Sequence, residues 1–107
     1  MRRVKPGLLL PVLLTFLPPS GVYAQEELGR KVFTQIARPP CALCHTLQAA
    51  GAEATIGPSL DELKPDKAKV LEAVRKGVGV MPPFADKLSA EQIEAVAAFV
   101  ARAVQAP

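Results

Sequence analysis

The chain has 107 residues, half of them hydrophobic, with 13 basic and 10 acidic side chains and a formal net charge of +3. That length holds one small domain, and so modest a positive excess gives no reason to expect a nucleic-acid or anionic-membrane partner. Two cysteines and one histidine are too few for a four-ligand Cys/His zinc site.

The first 24 residues read as a secretory signal peptide. Met1-Arg2-Arg3-Val4-Lys5 is a basic start, Gly7 to Leu17 is a short apolar run, and Val22-Tyr23-Ala24 offers small residues at the two cleavage-determining positions. The apolar run is interrupted by Pro11, closed by Pro18-Pro19, and falls short of the about 20 residues a membrane helix needs. Cleavage after Ala24 into a periplasmic compartment is the expectation, with an uncleaved anchor as the competing reading. Cleavage removes Arg2, Arg3 and Lys5 from the 13 basic residues and nothing from the 10 acidic ones, so residues 25–107, 83 in number, carry ten of each and no net charge.

In those 83 residues the periodicity predicts a first helix over Gln25 to Ala37, with Leu28, Val32 and Ile36 on one stripe and Phe33 at its edge. Arg38-Pro39-Pro40 ends it. Cys41-Ala42-Leu43-Cys44-His45 comes next, and Cys-x-x-Cys-His is the spacing that attaches a c-type haem. Each thiol can add to one vinyl group of the porphyrin, and the histidine directly after the second is carried to the iron. A thioredoxin-like pair would follow a strand, and no strand pattern precedes Cys41. A disulfide across so short a loop adds little stability and leaves His45 without a role.

Thr46 to Gly57 is small and polar and reads as a loop. Gly57-Pro58 then sets up Ser59, which with Glu62 makes a capping box for a short helical turn. Pro65 opens a helix over Asp66 to Lys76, with Val70, Leu71 and Val74 inward and Gly77 as its stop. Val78 to Phe84 is an apolar loop that Pro82-Pro83 keeps out of a helix. Ser89 and Gln92 form a second capping box, opening a final helix to about Val104 in which Ile93, Val96, Ala97, Val100 and Val104 recur at helical spacing beside Phe99. No segment reads as a strand, so the expected class is all-α, about four helices around one haem.

A haem iron held by one histidine has a sixth position to fill. His45 is the only histidine, and once Met1 leaves with the leader Met81 is the only methionine. A thioether is a soft, neutral ligand that raises the reduction potential relative to a nitrogen ligand. Core filling by Met81, with water or lysine on the iron, is the alternative.

Gly29 and Phe33, Cys41 to His45, Gly57-Pro58-Ser59-Leu60, Met81-Pro82-Pro83 and Phe99 together resemble the class I cytochromes c of the small bacterial kind, over essentially all of residues 25–107. The resemblance implies first and last helices that cross near the haem, with Gly29 allowing close approach and Phe99 packing at the crossing. It implies one covalent haem c on Cys41 and Cys44, axial ligands His45 and Met81, and a pocket that includes Phe33, Pro58, Leu60 and Phe99. The Pro58 carbonyl should accept Nδ1–H of His45, leaving Nε2 for iron. Val78, Val80, Pro82 and Pro83 would form an apolar rim near the exposed haem edge.

The function so implied is periplasmic electron carriage rather than enzymatic turnover. With both axial positions filled, no small-molecule substrate reaches the iron. Redox proteins of the periplasm are then the partners, weakly bound and mildly salt-sensitive since the charges cancel, with no nucleic acid and no membrane contact after cleavage. Similar small cytochromes also serve as haem-bearing, electron-accepting subunits of periplasmic oxidoreductases, for example in sulfur-compound oxidation. Met81 opposes a third reading, an open-iron gas sensor or peroxidase.

Overall fold

Nothing between Ser20 and Lys31 breaks a helix, and in the computed structural model, which describes residues 7, 9–17 and 20–105, α1 runs without interruption over Ser20–Lys31. It begins ahead of the expected Gln25, so the Ala24–Gln25 bond lies within it. The basic start Met1 to Lys5 and the Pro18-Pro19 stop lie outside the described residues. Leu9 to Leu17 are described, and none of their large side chains is covered by the rest of the chain.

Beyond Lys31 the backbone widens into a π-helical turn, Val32–Ile36, in which Ala37 N–H donates to Val32 O at 3.1 Å. The extra residue in that turn rotates the side chains beyond it about the helix axis. Ala37 therefore takes the buried position and Ile36 is exposed, which corrects the expected stripe to Val32, Phe33 and Ala37 with Leu28 half-buried.

The expected loop after the Cys-His motif holds a small hairpin, and the expectation of no strand is corrected. β1 (Thr46–Leu47) pairs antiparallel with β2 (Ala52–Glu53), Thr46 opposite Glu53 and Leu47 opposite Ala52. Two-residue strands carry no readable alternation. What holds them is Leu47, fully buried, and the Thr46 hydroxyl, which donates to Ala54 O at 2.7 Å.

Three further helices complete the fold: α2 (Leu60–Leu63), α3 (Lys67–Lys76) and α4 (Ala90–Ala103). Ser59 caps α2 in one direction, its hydroxyl accepting from Glu62 N at 3.4 Å, so the expected box is half formed. Asp66 stands just outside α3 and caps it, accepting from Lys69 N at 2.8 Å. The Ser89–Gln92 box on α4 closes both ways, at 3.1 and 2.9 Å. Each such cap satisfies amides that the first turn leaves unpaired, at about 1 kcal/mol.

The core is the α1–α4 crossing with α3 laid against α4. A Cβ on Gly29 would stand 2.5 Å from Phe99 Cβ and collide with Ala95 O, so only glycine lets the helices approach this closely. Phe33 and Phe99 meet edge to face there, centroids 6.2 Å apart. Arg30 lies 5.1 Å over the Phe99 ring and donates to Ala49 O, tying the crossing to the hairpin. Ile93, Val96, Ala97, Val100 and Val104 are buried as the periodicity expected, as are Val70 and Val74. Among the described residues no helix is long and apolar enough to cross a membrane.

Candidate haem site

Pro39-Pro40 stops the first helix, and the chain at once tightens into a 3-10 turn over Cys41–Leu43. Cys44 N and His45 N both donate to Cys41 O, at 3.2 and 3.0 Å, which sets the two thiols and the imidazole on one compact turn. Both thiols are free and half-buried. Burial pushes the Cys41 thiol up to about 11; a backbone hydrogen bond opposes this and the charge of Cys44 adds to it. A redox or nucleophilic cysteine needs its pKa lowered. Cys41 goes the other way, which argues against a thioredoxin-like pair.

The His45 ring is held from one side by the chain that returns to it. Gly57 N donates to Cys44 O at 2.6 Å, and His45 Nδ1 lies 2.8 Å from Pro58 O. A carbonyl only accepts, so Nδ1 carries the proton and the Nε2 lone pair is left for a metal. Space beside the ring is scarce: a Cβ on Gly57 would stand 2.9 Å from Cε1. Gly57 was legible in the sequence as part of a turn; its fit against the imidazole was not.

Met81 sits on a tight turn of its own. Val78 and Met81 exchange both backbone hydrogen bonds, Val78 N to Met81 O at 3.1 Å and Met81 N to Val78 O at 2.9 Å. Gly77 enters the turn at φ +72°, and a Cβ there would meet Met81 O at 2.6 Å. Phe84 N then donates to Val74 O at 2.8 Å, pinning the far end of the loop to α3. Met81 is half-buried against the core, as are Cys41, Ala42 and Leu60.

Between residues 37 and 105 the exposed large hydrophobics are Leu43, Ile56, Leu63, Val78 and Val80, the last 97% exposed. Leu43 lies between the two cysteines, Ile56 just before Gly57-Pro58, Leu63 on α2, and the two valines on the Met81 turn. An apolar surface concentrated on the segments that carry two thiols, one free imidazole nitrogen and one thioether fits a large apolar prosthetic group with an iron centre. Among the described residues no three His, Cys, Asp or Glu side chains converge on a metal ion, whereas a haem takes its thiols at two separate points of the ring edge.

The family described as cytochrome c oxidase, cbb3-type, subunit III matches residues 24–100. The chain belongs to this family of c-type cytochromes. The structure of the c-type cytochrome SorU from Sinorhizobium meliloti is similar at 45% identity and a TM-score of 0.72, over 77% of this chain and 93% of that one. No curated protein sequence matches. Family membership carries a covalently bound haem c and a role in electron transfer, and the all-α class is that of the solved relative.

Within the cytochrome, the residues singled out by sequence divide into three groups, of which Met81, alone on its Val78–Met81 turn, is one. Cys41, Cys44, His45 and Pro58 are brought together by the 3-10 turn and the returning 57–58 segment. Phe33 and Phe99 are sealed in the helix crossing, each about 1% exposed, and Leu60 leans on the same core from α2.

Proposed function

We propose that the cytochrome is a periplasmic one-electron carrier with a single haem c, attached through Cys41 and Cys44 and ligated by His45 and Met81. The observation that carries this reading is the 2.8 Å contact between His45 Nδ1 and Pro58 O, which fixes the imidazole in the tautomer that offers Nε2. When bound, the haem supplies the Fe(III)/Fe(II) couple. The chain's own part is to hold the donors. Pro58 keeps the proton on Nδ1, Gly57 leaves the ring the space that a Cβ would take, and the Val78–Met81 turn holds the thioether on a short stiff loop bounded by Pro82-Pro83. With His45 and Met81 both engaged, substrate has no position on the iron, which favours carriage over catalysis.

Export is supported by the leader pattern and by Leu9 to Leu17 standing clear of the domain. Denatured mass of exported protein tests attachment and processing together: one haem above the mass of residues 25–107, with colour kept by the polypeptide through acid-acetone extraction. Extraction of all colour would sink the thioether assignment.

A second reading has its own support, because the matched family is described as an oxidase subunit. There the cytochrome would be a stable haem-bearing subunit that accepts electrons from a periplasmic oxidoreductase, one oxidising a sulfur compound for example. Affinity purification from the periplasm separates the two: a stoichiometric partner surviving dilution supports the subunit, and a cytochrome recovered alone supports the free carrier.

A further inference from the structure

Three hydrogen bonds join the chain leaving the Cys-His motif to the chain that returns through Pro58. Cys44 O accepts from Gly57 N at 2.6 Å, His45 Nδ1 donates to Pro58 O at 2.8 Å, and Gln48 N donates to Asp61 Oδ2 at 2.8 Å. The paired residues are separated by the same 13 positions each time, so the rungs share one register, with His45–Pro58 in the middle. The near rung is backbone to backbone. The far rung depends on one side chain. No ladder supplements it, since β1 pairs with β2 and not with residues 58–61.

We propose that Asp61 is a positioning residue for His45, acting through the backbone amide of Gln48 to hold the 45–48 and 58–61 segments in the register that the Nδ1–Pro58 bond requires. Asp61 suits this work because it lies in the single turn of α2, which Ser59 caps. The anchor is therefore rigid with respect to Pro58, three residues before it. An acceptor that bears a charge also makes a stronger bond than a neutral one.

Asp61 and Gln48 border a surface cavity of about 310 Å³ together with Thr46 and Glu53. Water therefore reaches the Gln48 N–H once the carboxylate is removed, so truncation frees the segment without leaving a buried unpaired donor. The fold is expected to survive, while the His45–Pro58 bond opens more often. A weaker Nδ1–H bond makes the imidazole a poorer donor to Fe(III), which raises the reduction potential.

The proposal rests on His45 as the iron ligand, and the test separates the two. In the ferric holoprotein, the His45 Nδ1–H proton is followed by nuclear magnetic resonance in wild type, Asp61→Ala and Asp61→Asn, with potentials measured alongside. Asp61→Ala should exchange this proton about tenfold faster, equivalent to ~1.4 kcal/mol, and raise the potential. Asp61→Asn loses the charge but keeps an acceptor, and should restore slow exchange. Equal exchange in wild type and Asp61→Ala overturns the proposal, as does Asp61→Asn exchanging as fast as Asp61→Ala. A wild-type His45 ring with no hyperfine shift overturns the ligation itself, and the positioning role with it.

Discussion

Gly57 is packed so closely against His45 that a Cβ on it would stand 2.9 Å from Cε1, 3.1 Å from Nδ1 and 3.3 Å from Nε2. All three distances are shorter than ordinary van der Waals contact, and the ring cannot simply swing away, since Pro58 O holds Nδ1. Gly57→Ala is therefore expected to displace the imidazole, lowering stability by about 1–3 kcal/mol and altering the ligand-field spectrum of the holoprotein. Thermal unfolding and the ferric absorption spectrum check this. A variant with wild-type values in both would show that the ring has room after all.

Gly29→Ala crowds a different place. The added methyl would meet Phe99 Cβ and the Ala95 carbonyl, a side-chain root and a backbone, neither of which moves unless α1 and α4 part. A loss of about 1–3 kcal/mol or more is expected by thermal unfolding, with the spectrum of the folded fraction unchanged because no donor of the site is touched. The contrast with Gly57→Ala is itself a test: equal spectral change in both would mean that the helix crossing and the site are not separable.

Side-chain periodicity and inventory made much of this legible. The stripe from Ile93 on α4 to Val104 at its end and the Ser89–Gln92 box were readable because apolar residues recur with a fixed period and one cap pairs at a fixed spacing. The Cys41-x-x-Cys44-His45 spacing was readable because haem attachment constrains neighbours in sequence. The π turn at Val32–Ile36 was not, since it is a departure from the period that the reading relies on, and it exchanged Ile36 for Ala37 in the core. The hairpin was missed because its strands are two residues each, and Asp61 because its partner is a backbone amide 13 residues away, which leaves no trace in side-chain pattern.

Glu94 links α3 to α4, accepting from Lys67 Nζ at 2.8 Å with Arg75 at 4.0 Å. The hydrogen bond from Lys67 holds its carboxyl below the ordinary range; slight desolvation opposes this, and the charges of Lys67 and Arg75 add to it. A carboxyl depressed in the folded state contributes stability above its unfolded value of about 4.3, and loses it as pH falls through the lower folded value. Glu94→Gln should accordingly lower the melting temperature slightly at neutral pH, with the gap closing on acidification below about pH 4. Added salt should narrow the gap at neutral pH, because the pair is exposed. A gap that widens in acid would contradict the assignment.

Met81 offers the sharpest test of the proposed ligation. If its sulfur fills the sixth position, wild-type ferric protein should show a sulfur-to-iron charge-transfer band, and Met81→Ala should abolish it. Opening that position should let carbon monoxide bind the ferrous protein readily, and should lower the potential as water or a nitrogen ligand replaces the thioether. Met81→His should keep a six-coordinate, low-spin haem and still lower the potential, because imidazole stabilises the ferric state better than a thioether does. Stability alone does not discriminate, since Met81 is half-buried against the core and its truncation lowers stability whether or not it binds iron, by less than the about 2–5 kcal/mol of a fully buried methionine. The spectrum discriminates because a core-filling side chain has no influence on it. Unchanged coordination and potential in Met81→Ala would leave Met81 as packing, return water or lysine to the iron, and remove the reason for reading the site as closed to substrate.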